Sequence, residues 1–262
     1  MSSGSSILAL HGFTGCGEDF SPFFPLCRSL AAWQCPNLPG HGPAPAADCS
    51  PSATVDFIES ARARLCPEPE VLLGYSAGAR AALLHAVAHP RRWHALILIS
   101  PNPGIEDPAK RAERRAVDEK LAQRVEKEGA PAFIGFWQQT PMIRSQLKIR
   151  SDWRTEMLRN RAQHTAEGLA ASLRNFGQGS CPNLWPSLKQ IEIPVLLIAG
   201  AEDRKYSELA LQMGAQLPNG RVQIIDGAGH MPHLEQPESS AGSIDRFIEG
   251  IDSGCRITPE RV

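Results

Sequence analysis

Short, uninterrupted apolar runs recur along this chain, and helical segments separate most of them. Uninterrupted apolar runs are typical of strands that are buried on both faces of a parallel sheet. Their alternation with helices predicts an α/β fold in which a mostly parallel sheet is flanked by helices. The predicted strands are Ile7–Leu10, Val71–Leu73, Ala95–Ile99 and Val195–Ala199, with weaker candidates at Trp33–Leu38 and Val222–Ile225.

The middle of the chain has a different pattern, in which no convincing strand is found. Its first element is predicted to be a helix over Ile105–Glu128. Asp107 can cap this helix, Pro108 suits its first turn and Gly129 can end it. A thin apolar stripe is expected along it, made of Ala112, Ala116, Leu121 and Val125.

The helices of this middle segment are predicted to form a cap, residues 104–189, inserted after the strand that ends near Ile99. The core is then expected over residues 1–103 and 190–262. Residues 108–161 hold 13 Lys or Arg against 7 Asp or Glu, although the whole chain has a net charge of −1. A basic cap indicates a pocket that receives an anion, although a solvated helix face gives the same charge pattern.

Residues 74–78 read Gly-Tyr-Ser-Ala-Gly, which has the form G-x-S-x-G. They follow the apolar run Val71–Leu73 and precede an alanine-rich segment, Ala79–Ala88, so a strand, a tight turn and a helix are predicted. Small residues on both sides of the serine let the chain turn sharply and raise the hydroxyl above the sheet at a helix N-terminus. Ser76 is therefore the candidate nucleophile or base.

A serine hydroxyl needs a base, and that base needs an acid that orients it. Asp203 follows the predicted strand Val195–Ala199, and His230 follows Val222–Ile225 in a glycine-rich loop. The order serine, acid, histidine is that of α/β-hydrolases. Because the carboxyl ends of parallel strands share one edge of the sheet, Ser76, Asp203 and His230 are predicted to meet there as catalytic residues.

Other residues compete for these roles. Asp226 and Glu202 are alternative acids, and His233 and His11 are alternative bases, each placed less well in the sequence. His233 is expected to pack or to bond locally. His41, in the Pro-Gly-His-Gly sequence after the second predicted strand, is interpreted as a structural histidine in a turn.

The loop after the first predicted strand reads His-Gly-Phe, residues 11–13. In this position a loop can supply a backbone N–H that faces the hydroxyl of the elbow serine. The backbone N–H groups of Phe13 and Ala77 are therefore the predicted oxyanion hole.

Composition narrows the classes of function. A chain of 262 residues can bury a large core, and a net charge of −1 favours neither nucleic acid nor a membrane surface as a partner. The apolar runs are shorter than a membrane span, and the N-terminus has no signal-peptide pattern. Seven scattered cysteines without a C-x-x-C motif indicate reduced thiols in a cytoplasmic protein, with no metal site and no cofactor expected.

Four motifs together resemble the α/β-hydrolase superfamily over nearly the whole chain. Because the strand at Ile7 begins close to residue 1, the first two antiparallel strands of that fold are expected to be missing or very short. The motifs are His-Gly-Phe at 11–13, Pro-Gly-His-Gly at 39–42, the elbow at 74–78 and Gly-Ala-Gly-His at 227–230.

Further motifs in the cap region resemble a narrower family, the 2-succinyl-6-hydroxy-2,4-cyclohexadiene-1-carboxylate synthases (MenH) of menaquinone biosynthesis. The resemblance covers roughly residues 7–250. The motifs are Asn-Pro-Gly-Ile at 102–105, Arg-Ala-Glu-Arg at 111–114, Phe-Trp-Gln-Gln at 136–139, Gly-Leu-Ala at 168–170, Gly-Gln-Gly at 177–179 and Leu-Trp at 184–185.

The resemblance implies an enzyme that eliminates pyruvate from a small polycarboxylate substrate. Ser76, acting with His230 and Asp203, would remove a proton next to a ketone, and the enolate would lie against the amides of Phe13 and Ala77. The resemblance also implies a set of substrate-binding residues, with Arg159 as the alternative to Arg161. These are Tyr75, Arg80, Arg114, Phe136, Trp137 and Arg161.

The chain departs from the family pattern in its aromatic residues, and its reaction is open to other interpretations. Some members of the family have a tryptophan where this chain has Phe136 and a tyrosine where it has Trp137. One triad also serves many reactions, so a carboxylesterase, a thioesterase or a carbon–carbon bond hydrolase is the alternative function. A non-catalytic binding protein with the same fold is a third possibility, which the intact Ser-Asp-His order disfavours.

Overall fold

A six-stranded sheet lies at the centre of the computed structural model, which describes residues 5–43, 48–64 and 70–252. Its strands are β1 (Ser5–Leu10), β2 (Leu30–Gln34), β3 (Val71–Tyr75), β4 (Ala95–Ile99), β5 (Val195–Gly200) and β6 (Gly220–Ile225). All six are parallel and lie in the order β2-β1-β3-β4-β5-β6. This confirms the predicted α/β fold with a parallel sheet.

The position of the second strand was predicted wrongly. Sequence pattern favoured Trp33–Leu38, whereas β2 runs from Leu30 to Gln34. β2 lies at the edge of the sheet, and four of its five residues are exposed. An exposed edge strand does not need the uninterrupted apolar pattern that identifies strands buried on both faces.

Helices cover both faces of the sheet. They are α1 (Pro51–Ala63), α2 (Ala77–Ala88), α3 (Pro108–Glu128), α4 (Ala130–Trp137), α5 (Pro141–Arg144), α6 (Ser151–Arg161), α7 (Ala166–Phe176), α8 (Arg204–Gln216), α9 (Pro232–Glu235) and α10 (Pro237–Asp252). Alternate strand residues point to opposite faces. Leu73 therefore packs in one core with Phe247 of α10, and Leu72 packs in the other with Met213 of α8.

The segment between β4 and β5 is helical, and the described chain contains no strand there. Asp107 caps α3 by accepting hydrogen bonds from two backbone N–H groups, and Gly129, with φ 80°, follows its last residue. Both features agree with the sequence prediction. That residues 104–189 act as a cap, with the core at 1–103 and 190–262, stays a prediction.

The apolar stripe of α3 was predicted correctly only in its second half. Ala112 and Ala116 are exposed, whereas Leu121 is partly buried and Val125 is buried, and both pack with residues of α4 and α7. The first half of α3 lies beside residues 178–179, where Arg114 donates to the Gln178 side chain and Arg115 to the Gly179 carbonyl, and therefore needs no apolar side chains. Within the described residues, no helix combines the length and the apolar character that crossing a membrane requires.

Candidate active site

Ser76 occupies a sharp turn between β3 and α2. Its backbone has φ 52° and ψ −108°, and its N–H donates to the carbonyl of Ile99 at 2.8 Å. The two glycines of the motif are required by close contacts: a Cβ at Gly78 would lie 2.0 Å from the carbonyl oxygen of Leu10, and one at Gly74 would lie 2.2 Å from that of Gly78. Backbone strain at the serine is thus held in place by the packing of α2 on the sheet.

The structure brings together the three residues that were predicted to meet at the sheet edge. Ser76 Oγ lies 2.9 Å from His230 Nε2, and His230 Nδ1 lies 2.6 Å from Asp203 Oδ2. Because a carboxylate can only accept, the hydrogen-bond pattern assigns the imidazole proton to Nδ1 and leaves the Nε2 lone pair facing the serine hydroxyl. His230 is 1% exposed, so water does not compete for these bonds.

The alternative acids and bases lie elsewhere. Glu202 is exposed and pairs with Lys148, and Asp226 is also exposed. Both ring nitrogens of His11 are occupied, one by the carbonyl of Gly12 and the other by the N–H of Leu38. None of these groups contacts Ser76 in the hydrogen bonds of the described residues.

His233 is fully buried beside the site. Its ring stacks on Phe20, with centroids 5.2 Å apart, and meets Tyr75 edge to face at 4.8 Å. Neither ring nitrogen has a hydrogen-bond partner among the described residues. Burial lowers the pKa of His233 to about 3, so the ring is neutral and acts as an aromatic packing residue.

The predicted oxyanion donors also lie beside Ser76. Ala77 is the first residue of α2. The loop that carries Phe13 passes close to the elbow: a Cβ at Gly12 would lie 2.7 Å from the Tyr75 ring. In the described part of the chain, neither the Phe13 N–H nor the Ala77 N–H donates to another residue. Two backbone donors are thus available near the serine hydroxyl.

Histidines fix the loop that carries Phe13. His164, which follows α6, donates through Nε2 to the carbonyl of Thr14 at 3.0 Å and accepts through Nδ1 from the N–H of Gly42 at 2.9 Å. Burial lowers the pKa of His164 and that of His41, and it lowers the pKa of His11 to about 4. Neutral imidazoles can both donate and accept, and His164 thereby links the helical segment to two loops of the sheet.

A cavity of about 330 Å³, counted with its open mouth, lies next to Ser76. Its lining includes residues from both the sheet and the helical segment, and three of the predicted substrate-binding residues are among them. The three are Tyr75, Trp137 and Arg161, and the lining also includes Phe13, Asp19, Ser76, Gln146 and His230. Burial raises the pKa of the Tyr75 phenol, which is therefore a neutral wall of the cavity.

Arg161 is a buried cation in this cavity. It is 5% exposed, one terminal nitrogen donates to Gln146 Oε1 at 2.9 Å, and its Nε has no partner among the described residues. Asp19 lies close enough for its charge to interact with the guanidinium, but burial raises the pKa of this carboxyl. Arg159, the alternative, is exposed and pairs with Glu156.

Three predicted substrate-binding residues are not in the lining of this cavity. Arg80 is buried and donates to the carbonyl of Phe176 at 2.8 Å. Arg114 donates to Asp118 at 2.8 Å and to Gln178 at 2.9 Å. Phe136 lies under Arg124, whose guanidinium carbon is 3.6 Å from the ring centroid. Local pairs on the helices therefore occupy these side chains.

Asp19 and Gln146 were missed by the sequence analysis, although both line the cavity. Each stands in a short 3₁₀ turn, Gly17–Phe20 and Ser145–Lys148, without a motif around it. Only the fold brings these turns to the elbow, so no local pattern could have identified the two residues.

One cluster in the described residues has the composition of a metal site. The ligand atoms of Glu59, His85 and His89 lie within 4.8 Å of one another. However, the indole N–H of Trp93 donates to His85 Nδ1, so the imidazole proton lies on Nε2 and donates to Glu59, which Arg92 also binds. A protonated nitrogen cannot ligate a metal, and the cluster instead ties α1 to α2.

Comparisons with known proteins agree with this geometry. Residues 7–241 match the Alpha/beta hydrolase family. The 2-succinyl-6-hydroxy-2,4-cyclohexadiene-1-carboxylate synthase of Pectobacterium atrosepticum is 32% identical over 249 residues, which cover 92% of this chain and 93% of that protein. The structure of MenH from S. aureus has a TM-score of 0.88 and 27% identity and covers 96% of both chains.

A second solved structure extends the likeness in fold alone. The thermophilic esterase from Thermogutta terrifontis, solved with malate bound, has a TM-score of 0.81 and 23% identity and covers 95% of this chain and 91% of its own. The match at 32% identity, which spans most of both chains, identifies a more specific family than the fold does. The chain therefore belongs to the alpha/beta hydrolase family and, within it, to the family of the 2-succinyl-6-hydroxy-2,4-cyclohexadiene-1-carboxylate synthases.

Proposed function

We propose that this enzyme is a carbon–oxygen lyase that eliminates pyruvate from 2-succinyl-5-enolpyruvyl-6-hydroxy-3-cyclohexene-1-carboxylate. The product is 2-succinyl-6-hydroxy-2,4-cyclohexadiene-1-carboxylate, an intermediate of menaquinone (vitamin K2) or phylloquinone biosynthesis. Relatives that share most of its length are named as synthases of this product. The observation that carries the proposal is that a buried cation, Arg161, lines the same cavity as the Ser76–His230 pair.

The reaction is an elimination and needs no water. A base removes the proton from the ring carbon that bears the succinyl ketone, and the electron pair is delocalised onto the ketone oxygen as an enolate. The electrons then move through the adjacent ring double bond and break the carbon–oxygen bond to the enolpyruvyl group. Pyruvate leaves as its enolate and takes up a proton to give pyruvate, and the ring, which had one double bond, is left with two conjugated double bonds.

Ser76 and His230 are the proposed base. The substrate proton passes to Ser76 Oγ as the hydroxyl proton passes to His230 Nε2, 2.9 Å away. The imidazolium that forms keeps its Nδ1–H on the Asp203 carboxylate at 2.6 Å. Asp203 thus holds the tautomer that leaves Nε2 free to accept, and it stabilises the positive charge once the proton has moved.

The Phe13 and Ala77 amides are the proposed site for the enolate oxygen. Neither amide donates to another of the described residues, and Ala77 lies at the N-terminus of α2, where the helix dipole favours negative charge. Donors placed in advance at a developing oxyanion stabilise the transition state more than the neutral ketone. This difference lowers the barrier to proton removal.

Arginines are the proposed partners of the substrate carboxylates. Arg161, whose Nε is unpaired among the described residues, can take one carboxylate in the cavity that Tyr75 and Trp137 also line. Arg80 and Arg114 are proposed for the other carboxylates, and Phe136 for an apolar contact near them. Both guanidinium charges act on Tyr206, whose ring packs 4.5 Å from the His230 ring, so they lie near the reacting groups.

The proposed enzyme uses protein groups alone. The base, the oxyanion donors and the cation are all side chains or backbone amides, and no metal or organic cofactor is part of the proposed mechanism. The proposed partner is a small polycarboxylate substrate, not nucleic acid or a membrane surface, and the proposed location is the cytoplasm. The cationic cavity supports a polar anionic substrate rather than an apolar acyl chain.

The test is pyruvate release from the enzymatically prepared cyclohexene substrate, coupled to lactate dehydrogenase. The substrate also eliminates pyruvate slowly by itself, so the uncatalysed rate is measured beside the enzyme. We expect rapid release that depends on Ser76. A rate equal to the uncatalysed one would contradict the lyase, and turnover of esters or thioesters by the same protein would then favour the hydrolase alternative.

A further inference from the structure

Side chains, rather than backbone carbonyls, hold the backbone around His230. The N–H of Gly229 donates to Glu235 Oε2 at 2.6 Å, and the N–H of Met231 donates to Glu235 Oε1 at 2.9 Å. The N–H of His230 itself donates to Ser145 Oγ at 3.2 Å. Three consecutive N–H groups therefore converge on one carboxylate and the hydroxyl beside it, as in an anion-binding nest.

The carbonyl of His230 is also bound by a side chain. Ser100, at the end of β4, donates its hydroxyl to this oxygen at 2.8 Å. Gly227 and Gly229 flank the loop and add no stiffness of their own, because glycine restricts the backbone least. The position of His230 therefore depends on Ser100, Ser145 and Glu235.

Ser145 differs from the other two because it belongs to the helical segment between β4 and β5. Its hydroxyl donates to Glu235 Oε1 at 2.8 Å and at the same time accepts from the His230 N–H. The approach is close: a Cβ at Gly229 would lie 2.4 Å from the Ser145 Cβ. The 3₁₀ turn Ser145–Lys148 thus packs directly on the loop that carries the histidine.

Other side chains of the same turn contact neighbouring parts of the site. Lys148 binds Glu202, next to Asp203 in the chain, and donates to the carbonyl of Gly227 at 3.0 Å. Gln146 accepts from the cavity cation Arg161 at 2.9 Å. One turn of the helical segment is therefore bonded to both loops that carry His230 and Asp203.

We propose that Ser145 and Glu235 are positioning residues, which hold His230 at hydrogen-bond distance from Ser76 and so make the reactivity of Ser76 depend on the docked helical segment. Proton transfer requires this distance, and a displacement of about 1 Å can cost roughly 100-fold in rate. The proposal rests on the proposed role of Ser76 and His230 and does not depend on which substrate the cavity takes.

The first test measures the reactivity of Ser76 itself, with Ser145→Ala and Glu235→Gln. A fluorophosphonate reports it: Ser76 Oγ bonds to phosphorus, the phosphorus–fluorine bond breaks, fluoride leaves with the electron pair, and the hydroxyl proton goes to His230 Nε2. We expect labelling to slow at least tenfold in both variants. Two matched controls, Thr155→Ala and Glu238→Gln, remove an exposed hydroxyl and an exposed charge, and should stay within twofold of the wild type.

Two further readouts separate positioning from general loss of stability. In the pyruvate assay kcat should fall while KM stays within twofold, because the substitutions leave the arginines that are proposed to bind the substrate in place. The far-downfield proton resonance of the His230 Nδ1–H, which reports the bond to Asp203, should shift or broaden in Ser145→Ala. The double variant should lose little more activity than either single variant, because both residues act through His230.

Unchanged labelling and an unchanged resonance in Ser145→Ala would overturn the inference, and this milder variant also covers the case in which Glu235→Gln fails to fold. Equal changes in kcat and KM would assign the two residues to general structure. The failure of the lyase proposal looks different: the wild type would release no pyruvate above background, while the labelling difference between wild type and Ser145→Ala would persist.

Discussion

Ser76 Oγ lies 2.9 Å from His230 Nε2, although 154 positions separate the two residues in the chain. β3 ends at Tyr75 and β6 at Ile225, and the carboxyl ends of these parallel strands lie on the same side of the sheet. The loops that follow them carry the serine and the histidine. The positive φ of Ser76 turns its hydroxyl towards the imidazole. The reactivity that we propose therefore depends on a strained elbow on one side and on a tethered loop on the other.

Ser76→Ala should reduce pyruvate release to the uncatalysed rate, because it removes the group that takes the substrate proton. Substrate binding should change little, because the arginines remain. Coupled kinetics and isothermal titration calorimetry measure the two effects, with Ser239→Ala on the exposed side of α10 as the matched control. Lost binding with retained turnover of the bound fraction would assign Ser76 to recognition instead of chemistry.

Arg161→Ala should weaken substrate binding, since Arg161 lines the cavity and its Nε has no hydrogen-bond partner in the described part of the chain. A lost hydrogen bond to a charged group costs about 1.5–3 kcal/mol, so KM should rise by roughly 10- to 150-fold. Arg159→Ala is the control, because Arg159 is exposed two residues away and pairs with Glu156. Equal KM values for the two variants would exclude Arg161 as a carboxylate ligand.

Arg114→Met tests whether a paired arginine of α3 also binds substrate. In the structure it bridges Asp118 and Gln178, so binding a carboxylate requires one of these partners to be exchanged. We expect a smaller rise in KM than for Arg161→Ala, and no change for Arg115→Met, whose side chain binds the carbonyl of Gly179. A KM equal to that of the wild type in Arg114→Met would leave Arg114 with a structural role alone.

Gly78→Ala should destabilise the fold strongly, because its Cβ would lie 2.0 Å from the carbonyl oxygen of Leu10 and would push α2 away from β1. Overpacking of this kind costs about 1–3 kcal/mol or more. Gly135→Ala on α4 is the matched control, since nothing lies within 4 Å of its Cβ position, and it should stabilise by up to about 1 kcal/mol. Urea unfolding of both variants measures the difference, and a Gly78→Ala protein as stable as the wild type would contradict the tight elbow.

His233→Phe should make the protein less sensitive to acid. The pKa of His233 is about 3 in the folded protein and 6.5 ordinarily, so between these values the unfolded chain binds a proton that the folded chain does not. Above pH 6.5 this difference in proton binding does not lower the free energy of unfolding. As the pH falls from 6.5 towards 3, the free energy of unfolding decreases by about 1.4 kcal/mol per pH unit. The phenylalanine variant lacks this loss.

Thermal unfolding of wild type and His233→Phe at pH 7.5 and pH 5 measures this effect. At pH 7.5 the two melting temperatures should be similar, because neither ring nitrogen of His233 has a partner among the described residues and an aromatic ring fits between Phe20 and Tyr75. At pH 5 the variant should melt at the higher temperature. An equal drop in both proteins would show that His233 does not carry the acid sensitivity.

Local patterns were sufficient for the fold class and for the residues at the strand ends. β3, β4 and β5 lie inside the sheet and are buried along their whole length, and the elbow and Asp203 follow β3 and β5. His230 follows β6, an edge strand whose apolar pattern is interrupted by Arg221 and Gln223. Edge strand β2 was misplaced because four of its five residues are exposed, so it lacks the apolar pattern of a buried strand. The distinction between Arg159 and Arg161 needed the structure, since positions two apart on a helix lie on nearly opposite faces and only packing decides which face is buried.

The sequence by itself determined the α/β fold and the order of the proposed serine, acid and histidine, because hydrophobic periodicity and glycine requirements act over a few residues. The tertiary structure alone decided which charged groups share a cavity with Ser76 and which residues hold His230. Ser145 and Gln146 lie in a 3₁₀ turn and Glu235 in the four-residue helix α9, all without a motif, and the contacts of Ser145 with Glu235 and His230 join residues as many as 90 positions apart. Such contacts are set by the docking of the helical segment on the sheet, which no local pattern encodes.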